Sequence, residues 1–234
     1  MQLLRLFLFS CLFIAPLVGK ESPPSKISKE PVPSKVTYVY KKDIEGRTSE
    51  TTWILQEKDK NVHIQGISGN GETLIITSPP INTQSFSYQS KNEKNEYYIH
   101  RDGPYLFAKR NDQGGVTQKE FNIGDDLWIQ EFDFTFRPFI LSAADSLKFY
   151  IVHPTKLSLH HMIATKSPRL EQVEIKGETH DAIKVKVTLT GLKKMFWKAE
   201  LWFERNTGDL LKYMANEGPN TPTSIITLFS KKEE

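Results

Sequence analysis

Four histidines lie close together in the second half of the sequence and are its best candidates for metal binding. They are His153, His160, His161 and His180. A zinc site needs three ligands that converge from separate elements. In a strand, His160 and His161 would point to opposite faces of the sheet, so at most one of them could join a given site. Solvent-exposed histidines on a sheet face account for these residues equally well, and we predict that the protein has no metal site.

Two pairs of carboxylates are candidates for acid–base chemistry. They are Asp125 with Asp126, and Glu131 with Asp133. Glycoside hydrolysis needs two carboxyl groups that face each other across a cleft, and neighbours in the chain do not establish that arrangement. A solvated turn that leads into a strand at residues 127–129 accounts for them better.

Motifs for nucleotide binding and nucleophilic catalysis are incomplete in this sequence. Gly66 and Gly71 have the spacing of the glycines in a phosphate-binding loop, but Glu72 stands where that loop requires a lysine. Residues 66–70 lack the last glycine of a nucleophile elbow and lie between strands, as a hairpin turn would. We therefore predict that the protein is not an enzyme and uses no cofactor.

The N terminus has the pattern of a secretory signal peptide. A short basic start at residues 1–5 precedes an almost unbroken apolar run at residues 6–18, and Gly19 is followed by polar residues. An apolar run of about a dozen residues is short for a membrane span, which needs roughly 20. We predict export with removal of residues 1–19, and an uncleaved N-terminal anchor is the alternative.

Cys11 is the single cysteine of the chain and permits a second interpretation of the leader. Residues 8–11 are faintly similar to the box at which bacterial lipoproteins are cleaved and lipidated. Phe9 is too bulky for that box, and the apolar run continues beyond Cys11, so lipidation is the less favoured alternative. Cleavage after Gly19 would leave a mature chain without a thiol.

The remaining sequence divides into a linker, one domain and a short tail. Residues 20–35 combine four prolines with serines and lysines, which is typical of an extended linker. We predict a single β-rich domain at residues 36–230 and a charged tail at residues 231–234. The formal net charge of +3 is spread along the 234 residues, so nucleic-acid binding is not indicated. The absence of an Asn-x-Ser/Thr sequon favours a bacterial envelope protein.

Apolar and polar residues alternate almost everywhere in this domain. Val185 and Val187 would face one side of a strand, while Lys184 and Lys186 face the other. Such a strand has one dry and one wet face, which is typical of an antiparallel sheet. The same alternation at residues 199–203 places Trp202 on the wet face. Further strands are predicted at residues 36–41, 52–56, 62–67, 73–77, 85–89, 96–100, 105–109, 147–152, 156–164, 172–176, 210–213 and 224–229.

Turn residues separate these strands, and one helix interrupts them. Glycine or asparagine stands at residues 69–71, 102–103, 111–115 and 206–208, where hairpins would reverse. Pro138 suits the first turn of a helix at residues 138–145. The predicted fold is mainly β, a curved antiparallel sheet that resembles a half-open barrel with one short helix.

Aromatic residues crowd the segment around the start of that helix. They are Phe132, Phe134, Phe136 and Phe139. The first three alternate with polar residues, which favours a contribution to the core. The alternative is an apolar concavity that holds a ligand, because large aromatic side chains supply contact area at little entropic cost.

The last third of the chain resembles a known group of proteins. The similarity is carried by residues 188–192, by the tryptophan-bearing strand at 196–203 and by the Thr-Gly-Asp turn and strand at 207–213. Residues 149–154 and 218–222 fit the same pattern. Residues 147–229 thus resemble a group of uncharacterised exported bacterial proteins, which are similar in architecture to the envelope lipoprotein carriers. The chain differs from the carriers in length, because its first hundred residues after the leader add strands that the resemblance does not place.

The resemblance implies a curved sheet that wraps a short helix and carries a lipid or lipoprotein. We predict an exported protein of the periplasm or outer membrane, or alternatively of the extracellular space, that binds a hydrophobic ligand or a partner chain on a concave apolar face. The predicted lining consists of Phe139, Ile140, Val185, Val187, Leu201 and Phe203. The alternative is a structural or assembly protein of the cell envelope with a fully packed core. The predicted partners are lipids, lipoproteins or envelope proteins.

Overall fold

The computed structural model describes residues 35–79, 81–92, 94–191, 197–216 and 221–234. The predicted signal peptide, Cys11 and the linker up to residue 34 lie outside these residues, so their assignment stays a prediction. No helix of the described ranges is long and apolar enough to cross a membrane.

The described chain consists almost entirely of strands. The elements are β1 (Lys35–Ile44), β2 (Arg47–Lys58), β3 (Asn61–Ser68), β4 (Gly71–Ser78), β5 (Asn82–Ser90), β6 (Glu96–Asp102), β7 (Tyr105–Asp112), β8 (Gly115–Asn122), α1 (Phe132–Thr135), α2 (Arg137–Ile140), β9 (Ser146–His153), β10 (Ser158–Ile175), β11 (Glu178–Leu189), β12 (Lys198–Glu204), β13 (Leu210–Asn216) and β14 (Thr223–Glu233). The predicted mainly-β class is confirmed.

All the strands join one 14-stranded antiparallel sheet in the order β8-β7-β6-β5-β4-β3-β2-β1-β14-β13-β12-β11-β10-β9. Strands that are neighbours in the sequence pair with each other, except β8 and β9. The turn between β1 and β2 is built from Glu45 and Gly46, both with positive φ. The pairing of β1 with β14 joins the N-terminal run of strands to the C-terminal run. The ends of the sheet, β8 and β9, are not paired with each other, so the sheet curves without closing.

Several elements differ in extent from the prediction. β8 was not predicted, because its sequence is mostly polar and exposed. The two strands predicted at 156–164 and 172–176 are one long strand, β10, with a break in register between Lys166 and Leu170. Residues 127–129 form only an isolated parallel bridge, between Trp128 and Tyr150. At the ends of the domain, Lys35 belongs to β1, and β14 continues into residues that were assigned to the charged tail.

The helical segment begins earlier than predicted and ends at Ile140, five residues before the predicted end. It consists of two four-residue turns, α1 and α2. Phe132 and Phe136 stand one helical turn apart, and Ile140 follows after another four residues. This spacing is an apolar stripe of a helix, whereas the alternation with polar residues suggested a strand. The same residues fit both the alternation of a strand and the four-residue spacing of a helix. The segment is helical because this spacing packs its apolar stripe against the sheet.

The tip of the β10–β11 hairpin folds across the outer face of the sheet. There Val173 and Ile175 pack with Trp202 and Leu211 in a second, smaller apolar cluster. The prediction that Trp202 lies on a wet face was wrong, because this hairpin covers it to 7% exposure. Its indole Nε1 donates a 2.7 Å hydrogen bond to Glu171 Oε2.

Candidate functional site: an aromatic plug inside the sheet

Residues 132–140, which we call the plug, occupy the concave side of the sheet. Phe136 is fully buried and contacts Phe149 and Phe203, with ring centroids 5.5 and 6.2 Å apart. Phe134 is half-buried and packs against Tyr38 at 5.2 Å and Trp53 at 5.4 Å. The plug therefore touches strands from both halves of the sheet, although it forms no part of the sheet itself.

The six predicted lining residues all belong to the core that the plug completes. Phe139 and Ile140 lie on α2, Val185 and Val187 on β11, and Leu201 and Phe203 on β12; their exposure ranges from 0 to 4%. The structure thus brings all six together in one cluster. Their partners are other side chains of the same chain, since the plug fills the space in which a ligand would lie.

A short bridge segment, residues 127–130, holds the plug to the sheet on its N-terminal side. On one side it pairs with β9: the amide of Tyr150 donates to the carbonyl of Leu127 at 2.7 Å, and the amide of Ile129 donates to the carbonyl of Tyr150 at 3.0 Å. On the other side the amide of Thr83, in β5, donates to the carbonyl of Trp128 at 2.9 Å. The bridge segment therefore connects β9, at one edge of the sheet, to the first residues of β5.

Gln130 completes this bridge with its side chain. Its amide Nε2 donates to the carbonyl of Val152 at 2.8 Å, and its Oε1 accepts from the amide of Val152 at 3.2 Å. The same Oε1 accepts from the indole Nε1 of Trp128 at 3.0 Å. The side chain of Gln130 thus pairs with β9 as a backbone peptide group would. Sequence reasoning did not single out Gln130, because its role depends on which strand lies beside it.

Lys166 holds the plug on its C-terminal side. Its Nζ donates to the carbonyls of Ile140 and Ser142 at 3.1 and 2.7 Å, and it lies 4.7 Å from the ring centre of Phe139. Carbonyls at the end of a helical turn have no intrahelical partner, so a cation there satisfies them. Burial lowers the pKa of Lys166 below its ordinary value.

Two carboxyl groups of the plug region lie among these aromatic residues. Asp133 is 8% exposed, and burial raises its pKa from 3.8 to about 7. Burial also raises the pKa of Glu131 well above its ordinary value, and the neighbouring Asp133 raises it further. The expectation of a solvated turn holds for Asp125 and Asp126, which are exposed, but is wrong for Glu131 and Asp133.

A polar trio closes one end of the interior. The hydroxyl of Tyr38 donates to Asp209 Oδ1 at 2.8 Å, and Lys231 Nζ lies 2.8 Å from Asp209 Oδ2. Burial, followed by the charge of Asp209, raises the pKa of Tyr38 far above its ordinary value. The trio joins β1 and β14 to the turn before β13, so it is a structural contact between the two halves of the sheet.

The histidines are spread over separate contacts. His161 stacks on Tyr150 at 4.8 Å, and His160 Nε2 lies 2.9 Å from Ser158 Oγ. Within the described ranges, no group of three His, Cys, Asp or Glu side chains is placed to hold a metal ion.

No family model and no curated protein matches the sequence. Among solved structures, a β-barrel-like protein of domain of unknown function DUF1849 from Brucella abortus matches with a TM-score of 0.56 at 8% identity, covering 87% of this chain and 98% of that chain. The hypothetical lipoprotein YmcC from Escherichia coli matches with a TM-score of 0.36 at 12% identity, covering 85% of each chain. A putative outer membrane lipoprotein-sorting protein domain from Vibrio parahaemolyticus matches with a TM-score of 0.27 at 9% identity, covering 86% of each chain. The match to the Brucella structure confirms the expected β-barrel-like architecture and extends it over nearly the whole described chain, including the N-terminal strands.

Proposed function

We propose that this protein is an exported, non-enzymatic module of the bacterial cell envelope that binds an acyl chain, or an apolar segment of a partner, inside its curved sheet. The observation that carries the proposal is the plug. The interior is filled by a separate segment of two four-residue turns, which is attached to the sheet by a few identifiable polar contacts. A ligand chain would take the place of the plug side chains against the inner face of β11 and β12.

The chemistry of that inner face favours hydrocarbon over polar ligands. Val185, Val187, Leu201 and Phe203 present only carbon atoms to the plug, so they offer contact area but no hydrogen bonds to orient a sugar or nucleotide. They also offer no base or nucleophile. Binding here would therefore depend on burial of apolar area, at about 25 cal/mol for each Å².

The location supports the same proposal. The apolar run at residues 6–18 predicts export, and we propose that the leader is removed after Gly19. Lipids, lipoproteins and envelope proteins are the partners available to such a protein. A periplasmic or outer-membrane-associated site fits these partners best, and an extracellular one is the alternative.

A structural or assembly role in the envelope is the second candidate function. Exposure of 0–4% at all six lining residues favours it, because the interior is packed by the chain itself. In that case the plug is a permanent part of the core, and partners would bind the outer surface. The two functions differ in one measurable respect, namely whether the plug can be displaced.

Titration of the mature protein with a fluorescent fatty-acyl probe tests the first function. We expect saturable binding in the micromolar range. Phe134→Ala should bind more tightly, because it removes the ring that packs the plug against Tyr38 and Trp53 and so makes displacement easier. Leu201→Trp should abolish binding, because the larger ring occupies the inner face; overpacking of this kind costs about 1–3 kcal/mol, which most folded domains tolerate.

Phe229→Ala is the matched control, because Phe229 is a partly exposed phenylalanine on the outer face of β14. It should bind the probe as the wild type does. Circular dichroism establishes that each variant is folded. Absence of saturable binding by folded wild type and by folded Phe134→Ala would reject carriage and favour the structural role.

A further inference from the structure

A polar cleft lies on the outer face of the sheet, beside the break in register between β10 and β11. The cleft has a volume of about 520 Å³ and is lined by Thr165, Lys166, Ser167, Glu171, Lys184, Lys186, Thr188 and Glu200. Residues 167–169 of β10 have no partner in the register with β11. The volume lies within the range of about 300–1,000 Å³ that is usual for small-molecule sites.

Both carboxylates of the cleft lie beside Lys184. Lys184 Nζ lies 3.1 Å from Glu200 Oε2 and 3.6 Å from Glu171 Oε1. The other oxygen of Glu171 accepts the hydrogen bond from Trp202. Lys184 is therefore the ion-pair partner of both carboxylates, and the indole N–H of Trp202 is a further hydrogen-bond donor to Glu171.

Lys186 is the lysine of the cleft whose ammonium group forms no ion pair with these carboxylates. It lies between Thr165 of β10 and Glu200 of β12 in the register of the sheet, and its side chain is exposed. No hydrogen bond or ion pair to another described residue engages its ammonium group. Lys166, the third lysine, is committed to the carbonyls of Ile140 and Ser142.

From this arrangement we infer that the cleft is a binding site for a phosphate group, held by the ammonium group of Lys186 and by hydroxyls of Thr165, Ser167 and Thr188. A phosphate presents several acceptor oxygens. Hydrogen bonds from an ammonium group to these oxygens are charge-assisted, and such bonds are stronger than those between neutral groups. The hydroxyls add donors that carry no charge. The phosphate can belong to a soluble ester or to a lipid headgroup, because the chemistry in the cleft is the same.

Heteronuclear NMR titration with inorganic phosphate and with glycerol phosphate tests the site. We expect saturable shifts of amides in β10 and β11 around the cleft. Lys186→Gln should weaken binding on the order of tenfold, which is the effect of losing about 1.4 kcal/mol of interaction. Lys109→Gln, which removes an exposed lysine from the outer face of β7, is the matched control and should leave the affinity unchanged.

Sedimentation with vesicles distinguishes the two sources of phosphate. Binding to phosphatidylglycerol vesicles but not to phosphatidylcholine vesicles, lost in Lys186→Gln and kept in Lys109→Gln, would assign the site to an anionic lipid headgroup. Binding of the soluble phosphates alone would assign it to a soluble ester. Equal affinity of the wild type and folded Lys186→Gln, or no binding of either phosphate by the folded wild type at millimolar concentration, would overturn the inference. None of these outcomes depends on whether the plug can be displaced.

Discussion

Asp133 is a carboxyl group held among the aromatic rings of the plug, and its ionisation should oppose folding. Its pKa in the folded protein is about 7, well above the ordinary value of 3.8. A group whose pKa is raised on folding contributes stability that is fully present below its unfolded pKa and is lost as the pH rises through the folded pKa. Stability should therefore decrease between about pH 4 and pH 7, and Glu131, whose pKa is raised for the same reason, adds to the decrease.

We predict that Asp133→Asn removes the part of this decrease that Asp133 causes. Each unit of pKa shift corresponds to about 1.4 kcal/mol, so the variant should melt several degrees above the wild type at pH 8 and close to it at pH 4. Scanning calorimetry at the two pH values measures both differences. His153, whose pKa is lowered by burial, contributes an opposite trend to both proteins and cancels in the comparison. An equal difference between variant and wild type at the two pH values would show that Asp133 ionises normally.

Among the elements, the bridge segment links the edge strand β9 to the start of β5, an interior strand of the sheet. Residues 127–130 pair with β9 on one side and meet the start of β5 on the other. The side-chain carboxamide of Gln130 extends this pairing to Val152, so one side chain replaces a pair of backbone hydrogen bonds. Its loss would leave buried donors and acceptors without partners, which is more costly than the net value of the bonds themselves.

We predict that Gln130→Ala lowers the free energy of unfolding by about 3 kcal/mol, because the N–H and C=O of Val152 and the indole N–H of Trp128 all lose their partner. Urea unfolding followed by tryptophan fluorescence gives the value. Hydrogen exchange should quicken at the amides of Val152 and Thr83 before it does so elsewhere. Gln118→Ala, at an exposed position of β8, is the control and should leave the unfolding midpoint where it is. Equal midpoints for the two variants would show that the bridge segment does not depend on Gln130.

At the scale of the whole molecule, the last strand of the chain lies in the middle of the sheet. β14 pairs with β1 on one side and with β13 on the other. The first and last described strands therefore connect the N-terminal and C-terminal runs of hairpins, and the buried contacts of Tyr38 and Tyr40 with Asp209 and Leu210 cross the same junction. We expect the two halves to unfold together.

We predict that a chain ending at Asn216 does not fold, because removal of β14 leaves β1 and β13 as unpaired edges and separates the two halves. Far-ultraviolet circular dichroism should show loss of the strand signal and of cooperative unfolding in urea. A chain that lacks only Glu233 and Glu234 is the control. It loses ion pairs between partly exposed side chains, such as the one between Lys35 and Glu234, and should unfold with nearly wild-type cooperativity. A cooperative transition in the longer truncation would mean that the halves fold independently.

The sequence by itself determined the fold class and the buried face of most strands. Alternation at period two is a local property, so Val185 and Val187 could be assigned to the dry face without knowledge of any neighbour, and both are fully buried. The six predicted lining residues are one cluster for the same reason, since the inner faces of β11 and β12 must adjoin once the strands pair. The match of the fold to a β-barrel-like protein agrees with what alternation and turn residues predicted.

The features that depend on contacts between distant residues could not be predicted from the sequence. Trp202 is buried because a hairpin tip from β10 and β11 reaches across it, and its own sequence neighbours predict exposure. Asp133 is desolvated because the plug is buried inside the sheet, and Gln130 has its role only because Val152 lies beside it. Lys184 rather than Lys186 pairs with the two glutamates of the cleft because its ammonium group lies between them. Periodicity specifies which way a side chain points from its strand, whereas burial, pairing and pKa depend on what the rest of the chain places in front of it.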